Sequence, residues 1–139
     1  MSRKTLLPLA LLLAVTVALC AFAANWKSDK AFVYPDITAF NSSTAKKRAC
    51  YVSAEEAENM TTRALAETVL TYPFLIDLYA FDSPDLWFRV AKDSLPMVKE
   101  LCAREDAVET LRTFSANAQE DVLIYCATLI GCMERDAQK

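Results

Sequence analysis

Tyr72-Pro73-Phe74-Leu75-Ile76-Asp77-Leu78-Tyr79-Ala80-Phe81-Asp82-Ser83-Pro84-Asp85 is the stretch that decides the fold class. Between Phe74 and Phe81 its single charge is Asp77. A run this short fits a buried strand or a buried helix by pattern alone. The flanks decide in favour of helix. Tyr72 precedes a proline, which excludes it from the α region and ends the helix before it. Pro73 has the fixed φ that can open the next one. Beyond the run, Ser83 supplies an N-cap oxygen, Pro84 takes the first helical position and Asp85 complements the helix dipole. No second strand-like run exists to pair with residues 74–81. The segment therefore reads as a buried helix at the centre of the core, with Phe74, Leu75, Leu78 and Phe81 as core residues.

Helical patterning continues on both sides. Towards the N-terminus, Ser53-Ala54-Glu55-Glu56 is a capping box, with Glu56 three residues after Ser53. Thr61-Thr62 offers another cap, and Leu65, Ala66, Val69 and Leu70 follow at helical spacing. Towards the C-terminus, Trp87, Val90, Ala91 and Ser94 form a stripe, and Pro96 forces a restart with Ser94 as the available cap. Leu95, Val98, Leu101 and Cys102 repeat the pattern, as do Val108, Leu111 and Phe114 after Arg104-Glu105-Asp106. Asn117-Ala118-Gln119-Glu120 caps a last helix striped by Val122, Cys126, Leu129 and Met133, joined by Leu123 and Ile130. Gly131 is either its stop or an interior glycine. The expected fold is an all-α, compact bundle of six or seven short helices. It follows a signal peptide over residues 1–23 and an extended N-terminal arm over 24–43, so that 44–139 is a single helical domain. In the arm, Phe32, Val33, Tyr34, Ile37 and Phe40 lack helical period around Pro35 and read as apolar residues that dock onto the body.

The N-terminus carries the address. Arg3 and Lys4 precede an apolar run, and Ala21-Phe22-Ala23 matches a small-x-small cleavage site, placing the cut between Ala23 and Ala24. The rivals are an uncleaved membrane anchor, since residues 6–24 are near spanning length, and lipidation at Cys20, where Leu19 fits the usual lipobox poorly. The chain of 139 residues has 15 Lys and Arg against 18 Asp and Glu. Removing Arg3 and Lys4 leaves 13 − 18 = −5. A mildly acidic chain has no electrostatic footprint for nucleic acid. Its one basic cluster, Lys46-Lys47-Arg48, reads as a solvated helix face.

Two absences restrict the chemistry. The sequence has no His and a single Gly, Gly131. That removes His-based nucleophile activation and His-ligated zinc, and it removes phosphate-cradling glycine loops.

Residues 59–114 resemble a helical segment found near the N-terminus of exported bacterial proteins, chiefly from Firmicutes. The resemblance lies in Met60-Thr61-Thr62, in the words from Val69-Leu70-Thr71-Tyr72-Pro73 through Ala80-Phe81-Asp82-Ser83, and in Leu101-Cys102-Ala103-Arg104-Glu105-Asp106-Ala107. It implies export and a helical fold, and it carries no catalytic residue. Cys102 stands where Leu is usual in that segment, which casts it as a small apolar filler.

After cleavage four cysteines remain, Cys50, Cys102, Cys126 and Cys132. An even number in an exported chain suggests two disulfides. Cys126 and Cys132 lie about 240° apart around a helix, which disfavours their direct pairing. Cys102 with Cys126 and Cys50 with Cys132 is then the candidate arrangement, and four buried free thiols are the alternative. No CxxC pair points to a metal, and no cofactor is expected. Asp77 reads as a structural acceptor or, less simply, as a buried general acid. Asp82 and Asp85 around Ser83 read as helix capping rather than a calcium loop, which needs spaced oxygens and a glycine turn. The aromatic residues Tyr72, Phe74, Tyr79, Phe81, Trp87 and Phe88 follow helix-core spacing, with a ligand surface as the alternative. The expected function is a non-enzymatic interaction or structural module, secreted or at the cell surface, with a protein or cell-wall partner. Contact with a membrane is expected only if the signal segment is retained. The alternative is a small carboxylate-dependent secreted hydrolase.

Overall fold

A computed structural model describes residues 26–80, 83–116 and 118–138. The signal segment, the Ala23–Ala24 cut, Cys20, Phe81, Asp82 and Asn117 lie outside the described residues. Within them the protein is all-α, with no strand among the described residues. The helices are α1 (Ser43–Ala49), α2 (Ala54–Glu58), α3 (Thr62–Leu70), α4 (Pro84–Ser94), α5 (Pro96–Ala103), α6 (Ala107–Ser115) and α7 (Glu120–Asp136), with 3-10 turns at Ile37–Ala39 and Leu75–Tyr79.

Local chemistry sets the helix starts. Ser42 Oγ accepts from Ala45 N at 3.1 Å to open α1. Ser53 and Glu56 close a full capping box: Ser53 N donates to Glu56 Oε2 at 2.8 Å, and Glu56 N donates to Ser53 Oγ at 3.2 Å. Thr61 caps α3, and Ser83 caps α4 with Pro84 behind it. Leu95 both ends α4 and begins α5, and its side chain caps neither. Ser94, the expected cap for α5, instead donates back to Val90 O at 2.6 Å within α4. Pro96 starts α5 without a side-chain cap: its fixed φ and missing N–H suit the first helical position, and Val98 N and Lys99 N donate to the Leu95 carbonyl at 3.0 and 3.1 Å.

The segment expected to be a helix over residues 74–81 is a 3-10 turn over five of them. Prolines and caps at both flanks leave too few residues for an α-turn to propagate, and i→i+3 bonds are the short-segment solution. Leu75 and Leu78 are buried as expected, whereas Phe74 is half-buried against the core. The centre of the core is not this segment but α3. Seven of its nine residues are buried (Thr62, Ala64, Leu65, Ala66, Thr68, Val69 and Leu70). Only Arg63 and Glu67 face solvent, so α3 is an interior helix. It packs against α5, α6 and α7, while α4 packs on α5, α7 and the second 3-10 turn. The apolar stripes are displaced by about one residue from the expected ones. Trp87, Phe88 and Ala91 are buried in α4 while Val90 faces out, and Cys132 joins Cys126 and Leu129 in α7 while Leu123 is exposed.

Residues before α1 form an arm that lies on this body. Ser28 makes an isolated bridge with Met60, through Ser28 N to Asn59 O and Thr61 N to Ser28 O. Further on, Phe32 N donates to Thr68 Oγ1 and Tyr34 Oη donates to Thr68 O, both at 2.9 Å. Arg104 ties the opposite edge. Its Nε pairs with Glu100 at 2.7 Å, and its Nη2 donates to the carbonyls of Glu58 and Met60, which no helical N–H reaches. Asp106 Oδ1 accepts from Thr62 Oγ1 at 2.8 Å, linking the starts of α3 and α6.

Gly131 is an interior residue of α7, which continues to Asp136. A Cβ at Gly131 would stand 3.1 Å from Arg135 Nη1. The missing side chain lets the Arg135 guanidinium lie along the helix and reach Asp85 Oδ1 at 2.9 Å.

Candidate functional site

Four rings connect the arm to a surface groove. Phe32 and Tyr34 have centroids 4.9 Å apart, Tyr34 and Tyr72 5.7 Å, and Tyr72 and Phe74 5.5 Å, all tilted or edge-on. Such geometries suit the ring quadrupoles. Tyr72 and Phe74 then form one wall of a groove of about 330 Å³. Trp87, Val90 and Ser94 of α4 form the other wall, and Lys47 and Tyr51, from α1 and the turn after it, form one end. Asp77 lines the groove too. It is half-buried rather than enclosed by its apolar sequence neighbours.

Burial raises the pKa of Tyr72 in the wall and of Tyr34 behind it, so their hydroxyls stay protonated. For Tyr34 the neighbouring Tyr72 adds to this, and for Tyr72 the charges on Cys50 and Asp77 do. The rim is apolar and open. Tyr51 is 53 % exposed and Val90 46 %. A second concavity, sharing Lys47 and Tyr51, extends over Ser43, Thr44 and Arg48, so the cationic face of α1 continues from the groove. The expected basic cluster is thus partly a border of this groove.

The cysteines are placed apart. All four are free thiols, and no two stand at disulfide distance. Cys50, Cys126 and Cys132 are buried and Cys102 is half-buried. The candidate pairing of Cys102 with Cys126 and Cys50 with Cys132 is not what the packing produces. Cys50 sits near Tyr34 and Tyr72 beside the arm, and the cysteine electrostatically closest to Cys102 is Cys132. Burial pushes Cys102 up to about 11, opposed by Lys92. It pushes Cys132 up to about 11 as well, helped by Asp85 and opposed by Arg135. These are packing thiols rather than poised nucleophiles.

Among the described residues no group of three or more metal-ligating side chains is assembled, and no helix is long and apolar enough to cross a membrane. Sequence reasoning picked out Tyr72, Phe74, Asp77 and Trp87, took Lys47 only as part of a solvated face, and missed Tyr51 and Thr68. A Thr inside an otherwise apolar stripe is the signal that marks Thr68. Nothing local marks Tyr51. Compared with known proteins, the chain matches no family model, no curated protein and no solved structure.

Proposed function

We propose that this chain is an exported, non-enzymatic interaction module that holds an apolar, acid-bearing segment of a protein partner in the groove between α1, the second 3-10 turn and α4. The observation carrying this reading is the groove's composition. Ring walls continue into an exposed apolar rim at Tyr51 and Val90, and a cationic border at Lys47 and Arg48 adjoins it. Apolar contact contributes the affinity, and opposite charge sets register and approach. Export rests on the n-region, apolar run and Ala21-Phe22-Ala23 of the leader, and on the resemblance of residues 59–114 to a segment of exported Firmicutes proteins. A carboxylate hydrolase acting on glycosides would use two carboxyls roughly 5–10 Å apart across one cleft. The described lining offers Asp77 together with a cation, Lys47, which suits binding better.

Two measurements test this. Intact mass of the protein recovered from the medium is expected to begin at Ala24, and a full-length mass in the membrane fraction would refute export by cleavage. The purified mature chain is expected to capture a partner from the culture supernatant or wall fraction. Tyr51→Ala and Lys47→Glu should abolish this capture without lowering the unfolding midpoint, while Lys99→Glu, on another helix, should leave it intact. Equal capture by all four proteins would refute the groove as the binding surface.

A further inference from the structure

A second pocket, separate from the aromatic groove, lies where α3, α6 and the start of α7 meet. It measures about 430 Å³ and is lined by Arg63, Thr110, Thr113, Phe114, Ala118 and Val122. That volume falls within the roughly 300–1,000 Å³ typical of small-molecule sites. Its composition is divided. Phe114, Ala118 and Val122 give an apolar wall, and the polar groups are donors or neutral hydroxyls. The Arg63 guanidinium carbon sits 5.5 Å from the Phe114 ring centroid, which holds the planar group against the ring face. Among the described residues no carboxylate pairs with Arg63. The Thr113 hydroxyl is committed to Glu109 O at 3.0 Å. The Thr110 hydroxyl makes no hydrogen bond to a described residue. Two uncommitted donors, one of them cationic, therefore share a pocket with an apolar wall.

The geometry points to a binding site for a small apolar carboxylic acid, with the carboxylate on Arg63 and Thr110 and the tail against Phe114, Ala118 and Val122. A guanidinium presents paired N–H donors that match a carboxylate's two oxygens. Seated on a ring, it is already restricted in orientation before the ligand arrives. An alcohol of the same tail would fill the apolar wall but leave the cation without its counter-charge.

Calorimetric titration of the mature chain with 3-phenylpropionate and octanoate, and with the tail-matched alcohols, tests the assignment. Saturable binding is expected for at least one acid, with its alcohol weaker by about tenfold or more, the scale of hydrogen bonds to a charged group. Arg63→Gln is expected to bring the acid's affinity down to that of the alcohol. Arg63→Lys should fall between, and Thr110→Val should weaken the acid and not the alcohol. Circular dichroism melts establish that each variant is folded. If Arg63→Gln does not fold, the acid-against-alcohol comparison on the unmodified chain and on Thr110→Val decides. Equal affinity for acid and alcohol, unchanged acid binding in Arg63→Gln or Thr110→Val, or no saturable binding of either acid overturns the proposal.

Discussion

Thr68→Val tests what holds the arm to the body. Thr68 is fully buried, and its Oγ1 serves two bonds: it donates to Ala64 O at 2.8 Å and accepts from Phe32 N at 2.9 Å. Valine keeps the shape and loses both. The Ala64 carbonyl sits within the α3 ladder, so its loss is small. Phe32 N, in a part-buried position, loses its acceptor, which costs roughly 1–3 kcal/mol. The added methyl returns roughly 0.8 kcal/mol of transfer free energy. The net destabilisation is then about 0.2–2 kcal/mol, a factor of roughly 1.5–30 in the arm's open-to-closed ratio. With a urea slope of about 1–3 kcal/mol/M for a chain of this size, the midpoint should fall by roughly 0.1–2 M. Trypsin cleavage at Lys27 and Lys30, which flank the bridge to Met60, should accelerate by a similar factor, roughly 1.5–30-fold. Tyr34→Phe, which removes the donor to Thr68 O, should accelerate the same cleavages. If Thr68→Val changes neither the urea midpoint nor the cleavage rate, Phe32 N is satisfied by water and Thr68 does not anchor the arm.

Leu78→Ala should cost about 2–5 kcal/mol, because the side chain is fully buried and truncation leaves a cavity; an unshifted urea midpoint would contradict its burial. Ser53→Ala should cost about 0.5–2 kcal/mol at neutral pH. The backbone and side-chain hydrogen bonds from Ser53 hold Glu56 below its ordinary value, so their contribution is present above the unfolded glutamate range and is lost as pH falls through the lowered folded value. Of these the mutant lacks the side-chain bond alone, so its deficit in denaturation should be smaller at pH 3 than at pH 7, with the non-titrating bond from Glu56 N to Ser53 Oγ accounting for what remains. Gly131→Ala should leave stability unchanged or raise it by up to about 1 kcal/mol, since alanine is the better helix residue and the atom it meets is the mobile end of Arg135; a clear loss by thermal melting would show that the Arg135–Asp85 pair matters more than an exposed bridge should. Under native conditions a thiol reagent should modify Cys102 slowly and Cys50, Cys126 and Cys132 only on unfolding, whereas an intact mass already short of four thiol hydrogens would show the packing to be oxidised.

Much of what depends on residues within one turn of each other was legible in the sequence, although the signal at Asn117-Ala118-Gln119-Glu120 marks the start of α7 without a side-chain cap at Gln119. Ser53 with Glu56, Thr61, and Ser83 with Pro84 announce helix starts because each cap closes over two or three residues. The bundle follows from those starts and from apolar spacing. The exact burial within α4 and α7 was not legible, because periodicity gives a face while the neighbouring helix chooses the residue; Phe88 and Cys132 go in where Val90 and Leu123 were equally apolar. The Ser94 cap failed because Val90 O lies nearer to it than the next helix does. The groove was half visible. Tyr72 and Phe74 stand out beside Pro73, but Lys47 and Tyr51 reach them only through the folded chain, and no spacing rule encodes that approach.

The arm's attachment has a consequence in time. Its hydrogen-bond partners lie 34 to 36 residues downstream at Thr68, and the Tyr34 hydroxyl also lies against Met97, 63 residues on. A chain made from its N-terminus therefore produces the arm first and closes it late, after α3 has formed and α5 has been delivered. Until then Phe32 and Tyr34 remain uncovered, and Tyr72 lacks the ring behind it. The ring behind the groove wall is consequently supplied by the oldest part of the chain, and only after Thr68 and Met97 have been made.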